Sequence, residues 1–213
     1  MNIIEFQAKV EEDEDGRSIV ASLLIDGKPL EELAQYQVDM FVIQESLSTM
    51  GALGGDVFTC GCGVAECAGI YKRMLIITNE STVQWFVRWP TYRQYIFDKE
   101  QYNDAFNRFR NQLIKDAGGL DKVDSLEYFI GLETKTLFDD FIPNPLSSEY
   151  CIELHEAVEY EDFDAVKILL DNNYIDVDHL NTQGETPLML ATSQEMENLL
   201  LSYGADATRK ISL

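Results

Sequence analysis

The sequence predicts an α+β protein: antiparallel β-hairpins with a packed amphipathic helix over residues 1–145, then a short helical-repeat segment over 150–213. Three observations predict it. Strand-like apolar runs, one of them alternating, recur between residues 3 and 90 with turn residues between them. The period changes to helical over 98–117. Finally, residues 152–206 read as two copies of one pattern laid over each other, with Leu154-His155 above Leu188-Met189 and Ala157 above Ala191, an offset of 34. At 213 residues the chain has room for one good core and a small appended unit.

Residues 3–10 (IIEFQAKV) and 18–27 (SIVASLLIDG) are apolar-rich and joined by 11–17 (EEDEDGR). They read as a hairpin with a charged, glycine-containing loop, whose acids also discourage edge-to-edge pairing. A connection, 28–37, follows. Residues 38–55 (VDMFVIQESLSTMGALGG) are ambiguous: the start favours a strand, while Leu47, Met50 and Leu53 fit a helical spacing. Residues 73–78 (RMLIIT) and 82–90 (TVQWFVRWP) flank Asn79-Glu80-Ser81 as a second hairpin. Val83, Trp85, Val87 and Trp89 alternate onto one face, opposite Gln84, Phe86 and Arg88, and Pro90 closes the strand. Two tryptophans on one face form either a packed sheet surface or a stacking shelf for a ligand; packing is the commoner use.

Over 98–117, Tyr102, Phe106, Phe109 and Leu113 recur at spacings of 4, 3 and 4, one apolar stripe for a core helix lying on the sheet. Asp98 is its N-cap and Gly118-Gly119 its end. The opposite face holds Arg108, Asn111 and Lys115. Residues 120–141 have no settled secondary structure, and 142–149 (IPNPLSSE) form a proline-and-serine break. The break is short, so the repeat segment is expected to pack on the preceding domain.

Charge is the loudest compositional fact, with 38 acids against 16 bases and a net −22. Residues 71–115 run against it with 8 bases and 4 acids. Such a surface repels nucleic acid and anionic membrane, and steers basic partners inward. No run of 18 apolar residues marks a membrane span, and the acidic start lacks the basic stretch of a signal peptide. The expectation is a cytoplasmic protein with no disulfide framework. Cys60, Cys62 and Cys67 crowd one Gly-rich stretch, 57–70 (VFTCGCGVAECAGI). They offer up to three thiolates, with Cys151, His155 or His179 as a distant fourth ligand for a structural zinc. The other reading is a tight turn packed with small side chains. The pattern CGCG-xxx-CAGI is similar to uncharacterised bacterial domains, a resemblance that carries no function.

In the repeat segment, Gly184 suits a loop tip needing positive φ, Thr186 caps the next helix, and Pro187 takes its first position. Leu188, Leu190 and Ala191 then face inward, and Gly204 stops the second helix. The motifs 181–191 (NTQGETPLMLA) and 199–206 (LLLSYGAD) resemble the ankyrin-repeat family, over the last 60 or so residues and about two repeats. Residues 152–155 (IELH) depart from the family's Thr-Pro-Leu-His, so the first copy lacks its cap. The second copy is three residues short between Ala191 and Leu199, which trims its first helix or the following turn. So few repeats do not bury their apolar faces alone.

The resemblance implies a protein-interaction module using loop tips and adjoining first-helix surfaces: Thr182, Gln183 and Glu185 at the loop, with Glu159, Tyr160 and Asn172 on the first repeat. Tyr160 is the best anchor, because aromatics dominate interface hot spots. No catalytic constellation is present: two histidines, no nucleophile elbow, no phosphate loop. An acidic, compact, non-enzymatic protein of this size suits an inhibitor or immunity protein for a basic, nuclease-like toxin. The alternative is a structural-zinc or metal-sensing protein centred on Cys60, Cys62 and Cys67; less favoured still is a small hydrolase or redox enzyme. Apart from that zinc, no cofactor is expected, and oligomeric state is unreadable.

Overall fold

The structure, a computed structural model, describes residues 1–13, 16–30, 37–38, 40–48, 51–55, 57–59, 65–118, 127–128, 149–173 and 175–211. The chain divides into two compact units, one from Met1–Met50 with Gly54–Pro143 and one from Gly51–Leu53 with Asn144–Leu213.

In the first unit, β1 (Ile4–Asp13) and β2 (Gly16–Ile25) pair antiparallel without a break from Ile4↔Ile25 to Asp13↔Gly16. The hairpin expected from the sequence is therefore longer than its apolar runs, because Glu11, Glu12 and Asp13 belong to the strand and not to the loop. Ladder hydrogen bonds are made by backbone groups whatever the side chain, so charge alone does not end a strand. Asp26 and Gly27, at φ 53° and 73°, then turn the chain into β3 (Lys28–Pro29) on the far side of β2. Two successive positive φ values match the twist of a tight hairpin. Asp26 also receives the chain's start: its carboxylate accepts from Asn2 Nδ2 and from the Ile3 amide, each at 2.8 Å. These bonds hold the Asp26 carboxyl below its ordinary value. Beyond β3 on β2 lies β10 (Glu127–Tyr128), in parallel.

The ambiguous stretch resolves into β4 (Gln37–Val38), α1 (Met40–Ser48) and β5 (Gly51–Gly55), with β4 paired to β6 (Phe58–Thr59). The second sheet has the order β5, β7 (Met74–Thr78), β8 (Thr82–Val87), β9 (Arg93–Asp98). Asn79 makes the β7–β8 turn by accepting from the Ser81 and Thr82 amides at 2.9 and 2.7 Å. Val83, Trp85 and Val87 face the core as expected, and Trp85 is fully buried, edge-on to Phe97 at 5.4 Å between centroids. Trp85 therefore packs the core, whereas Trp89, expected on the same strand face, lies beyond the end of β8 and is half-buried. Phe86, expected on the outer face, is buried as well. Strand β9 was not read from the sequence.

Helix α2 (Lys99–Ala117) is the expected core helix. Asp98 caps it by accepting from the Gln101 amide at 2.9 Å, and Gly118 ends it at φ 89°. Tyr102, Phe106, Phe109 and Leu113 are all buried, each removing apolar area from water at about 2 kcal/mol. They close over Phe6 of β1, whose ring meets those of Tyr102, Phe106 and Phe109 edge-on at 5.7, 6.2 and 6.4 Å. One polar knot ties this core together. Ser46 Oγ gives its single proton to the Ile43 carbonyl at 2.6 Å, so the Tyr102 hydroxyl, 3.1 Å away, is the donor between them. Burial drives the Tyr102 phenol far above its usual titration range. Arg108, Asn111 and Lys115 lie exposed on the other face.

Candidate partner-binding surface

Among the described residues, the second unit has two helix pairs. Helices α3 (Glu149–Glu159) and α4 (Phe163–Asp171) make the first, α5 (Pro187–Leu190) and α6 (Gln194–Ser202) the second, and a 3-10 turn spans Ala207–Ile211. Leu154, Val158, Val166, Leu169, Leu188, Met196 and Leu200 are buried between them. Three caps hold the helix starts: Asp162 accepts from the Ala165 amide, Thr186, the one expected, from that of Met189, and Ser193 from that of Met196. The missing residues of the second copy fall where expected, since α5 has only 4 residues against 11 in α3. Leu190, expected to face inward, is half-buried, and Leu201 is 41% exposed.

Asn181 builds the loop between the pairs. Its Oδ1 accepts from the Gln183 and Glu185 amides at 3.0 and 2.8 Å, and its Nδ2 donates to the Glu185 carboxylate at 3.0 Å. The Asn181 amide bonds the Glu185 carbonyl at 2.9 Å, closing a ring through Gly184 at φ 81°. The loop tip is thereby fixed while the side chains of Thr182 and Gln183 stay exposed. The Thr182 hydroxyl donates to the Gln183 side-chain oxygen at 2.9 Å, and exposed side chains on a fixed backbone suit a recognition loop, because little ordering remains to be done on binding.

Hydrogen bonds between residues roughly one repeat apart stitch the first pair to the second. His155, buried in α3, donates from Nε2 to the Glu185 carbonyl at 3.0 Å, since a carbonyl only accepts. Thr192 Oγ1 donates to the Glu161 carboxylate at 3.1 Å, linking the two inter-helix turns. Tyr203 Oη donates to Asp171 Oδ1 at 2.6 Å, which with burial and the carboxylate's charge pushes the phenol up to about 12. Asp178 accepts from the Asp206 amide with both oxygens, at 3.0 and 3.1 Å. Asp206 is itself held below its usual range by the Thr208 hydroxyl and amide, with Arg209 beside it at 3.7 Å. None of these pairs was read from the sequence. The signal available was their separation, between 28 and 32 residues, close to the repeat length.

The six residues expected at the surface fall into two groups. Thr182, Gln183 and Glu185 share the loop tip. Glu159 and Tyr160 sit at the C-terminal end of α3, Tyr160 about 7.5 Å along the axis beyond His155, and Tyr160 is 77% exposed. Asn172 is half-buried, and its Nδ2 donates to the Ile168 carbonyl at 2.7 Å, where it closes α4. Of the three clustered cysteines, Cys67 is exposed in a 3-10 turn at Glu66–Ala68. Cys60 and Cys62 lie outside the described residues. Among the described residues no three of His, Cys, Asp and Glu come together to hold a metal ion.

Helix pairs stacked in register and joined by a fixed loop define a helical-repeat binding scaffold. The family model of ankyrin repeats, in 3 copies, matches residues 124–211, and this C-terminal part is an ankyrin-repeat region. The match begins ahead of the boundary expected at 145–150; of 124–148, only Glu127 and Tyr128 are among the described residues. No curated protein and no solved structure matches the chain. No described helix is long and apolar enough to cross a membrane.

Proposed function

We propose that the chain is a non-enzymatic inhibitor that holds a basic protein, in the manner of an immunity protein bound to a nuclease-like toxin. Ankyrin repeats are a scaffold for protein–protein contact, and that part of the reading rests on the family match. The observation that carries the finer reading is the charge: a net −22, beside a loop whose tip is fixed by Asn181 and whose Thr182 and Gln183 project outward. A nuclease's substrate cleft is basic because it holds phosphates. An acidic binder meets that cleft quickly and covers it, with no chemistry of its own required. Tyr160 supplies an exposed aromatic anchor at the other end of α3.

The test is to retrieve the partner from source cells with the full chain, identify it, and measure association across a series of salt concentrations. A basic protein whose on-rate falls steeply with salt, and whose nuclease activity stops on binding, is the expected result. An acidic partner, or an on-rate indifferent to salt, overturns the reading.

A further inference from the structure

Among the described residues of the first unit, β1 is the last strand of its sheet: β2 pairs it on one side, and no described strand pairs along its other edge. Which residues face that edge follows from the hydrogen bonds at its start. The Ile3 carbonyl accepts from the Asp26 amide, on the β2 side. The Asn2 amide donates to Ile96 and the Ile4 carbonyl accepts from Gln101, both on the opposite side. Backbone direction alternates along a strand, and the register with β2 runs without a bulge to Asp13. Phe6, Ala8, Val10 and Glu12 therefore turn their N–H and C=O groups outward.

A groove of about 620 Å³ runs along this edge. Ala105, Arg108 and Phe109 of α2 form one wall, Phe6 the floor, and Ile3 and Glu5 the other wall. Ile3 is 55% exposed there. A helix flank beside an unpaired strand edge is the setting in which extended peptides add as an extra strand, with main-chain bonds giving affinity and alternate side chains giving selectivity.

We propose that this groove takes an extended segment of a partner protein, added as a strand to β1, with apolar residues alternating with basic ones. The apolar set faces Ala105 and Phe109, on the core side of the sheet. The other set projects past Glu5, and β1, with four acids against one lysine, favours cations there, with Arg108 alone opposing on the helix wall. A long open edge invites indiscriminate pairing; an acidic edge refuses acidic strands and admits basic ones. The groove shares no residue with the loop tip of the ankyrin region.

The probe is a synthetic eight-residue peptide alternating Val and Lys, titrated onto the full chain and followed by hydrogen exchange. Saturable binding that newly protects the Phe6 and Ala8 amides is expected. N-methylating one alternate set of peptide amides weakens binding about tenfold, by removing the edge-facing donors, while methylating the other set leaves it intact. Ala8→Pro, which removes an outward N–H and spares the β2 ladder, abolishes binding, and Glu5→Lys weakens it about fivefold. Gln183→Ala leaves it unchanged, so this inference and the proposed function fail separately. Absence of binding, equal sensitivity to both methylation patterns, or amides already protected in the free chain each overturn the proposal. A dimer of the chain that protects the same amides overturns it in favour of a second copy.

Discussion

Tyr203 and Asp171 stand 32 residues apart and are joined by a 2.6 Å hydrogen bond from phenol to carboxylate. One ends the second helix of its repeat and the other ends the second helix of the repeat before. The bond thus reports directly on whether the two pairs are stacked.

Removing it with Tyr203→Phe is expected to cost about 1 kcal/mol, below the usual value for a bond to a charged group because the pair is exposed to solvent. The pH dependence has a definite sign. The phenol titrates near 10 in the unfolded chain and near 12 in the folded one, so the folded state favours the protonated form. Its contribution is fully present below pH 10 and is lost as pH rises towards 12. Chemical denaturation of both proteins across that window checks it: the difference between them closes on the alkaline side. A constant difference refutes the assignment.

Asn181→Ala removes two acceptor bonds and one donor bond from the loop at once. The expected cost is about 1–2 kcal/mol, concentrated locally, because the stacked helices do not depend on the tip. Hydrogen exchange separates the two effects. The Gln183 and Glu185 amides lose protection strongly, and those of the α4 interior hardly change. Uniform loss would mean that the loop and the stack melt as one.

Gly184→Ala tests the same loop through the backbone alone. A Cβ at this position meets nothing within 4 Å, so no clash contributes. The φ of 81° remains unfavourable for alanine, by about 1–2 kcal/mol. Thermal unfolding of this variant beside Thr186→Ala, which loses the cap on α5 at about 1 kcal/mol, is expected to show shifts of similar size. An unchanged midpoint for Gly184→Ala would show that the loop is not held in this conformation.

What could be read in the sequence was what is written locally. Asp98, the Tyr102–Leu113 stripe and Gly118 lie within one helix, so α2 was legible from cap to cap. Thr186-Pro187 and Gly204 were legible for the same reason. Strand β9 was not, although Tyr95 and Phe97 alternate, because Tyr92 and Ile96 are apolar and exposed and blur a six-residue pattern. Glu11 to Asp13 point the other way, since their charge predicts a loop where the backbone ladder simply continues. His155–Glu185 and Tyr203–Asp171 exist only once the repeats stack, and no single letter carries that. Asn181 lay between the two cases: its position before the loop glycine was visible, but its three bonds depend on how the loop closes.

Leu113→Ala examines the core that the groove beside β1 presupposes. Leu113 is fully buried on the sheet side of α2, while Lys115, two residues on, is exposed. Truncating Leu113 removes its burial energy and leaves a void that close-packed aromatic neighbours fill only in part, a cost of about 2–5 kcal/mol. Lys115→Ala removes one exposed charge, and its effect should stay within about 0.5 kcal/mol. Urea unfolding of the two variants distinguishes them, provided that the slope of the transition stays constant and only its midpoint moves. If Lys115→Ala proved as damaging as Leu113→Ala, the helix would be turned the wrong way on the sheet. The flank of α2 that borders the β1 edge would then no longer be the one bearing Ala105, Arg108 and Phe109.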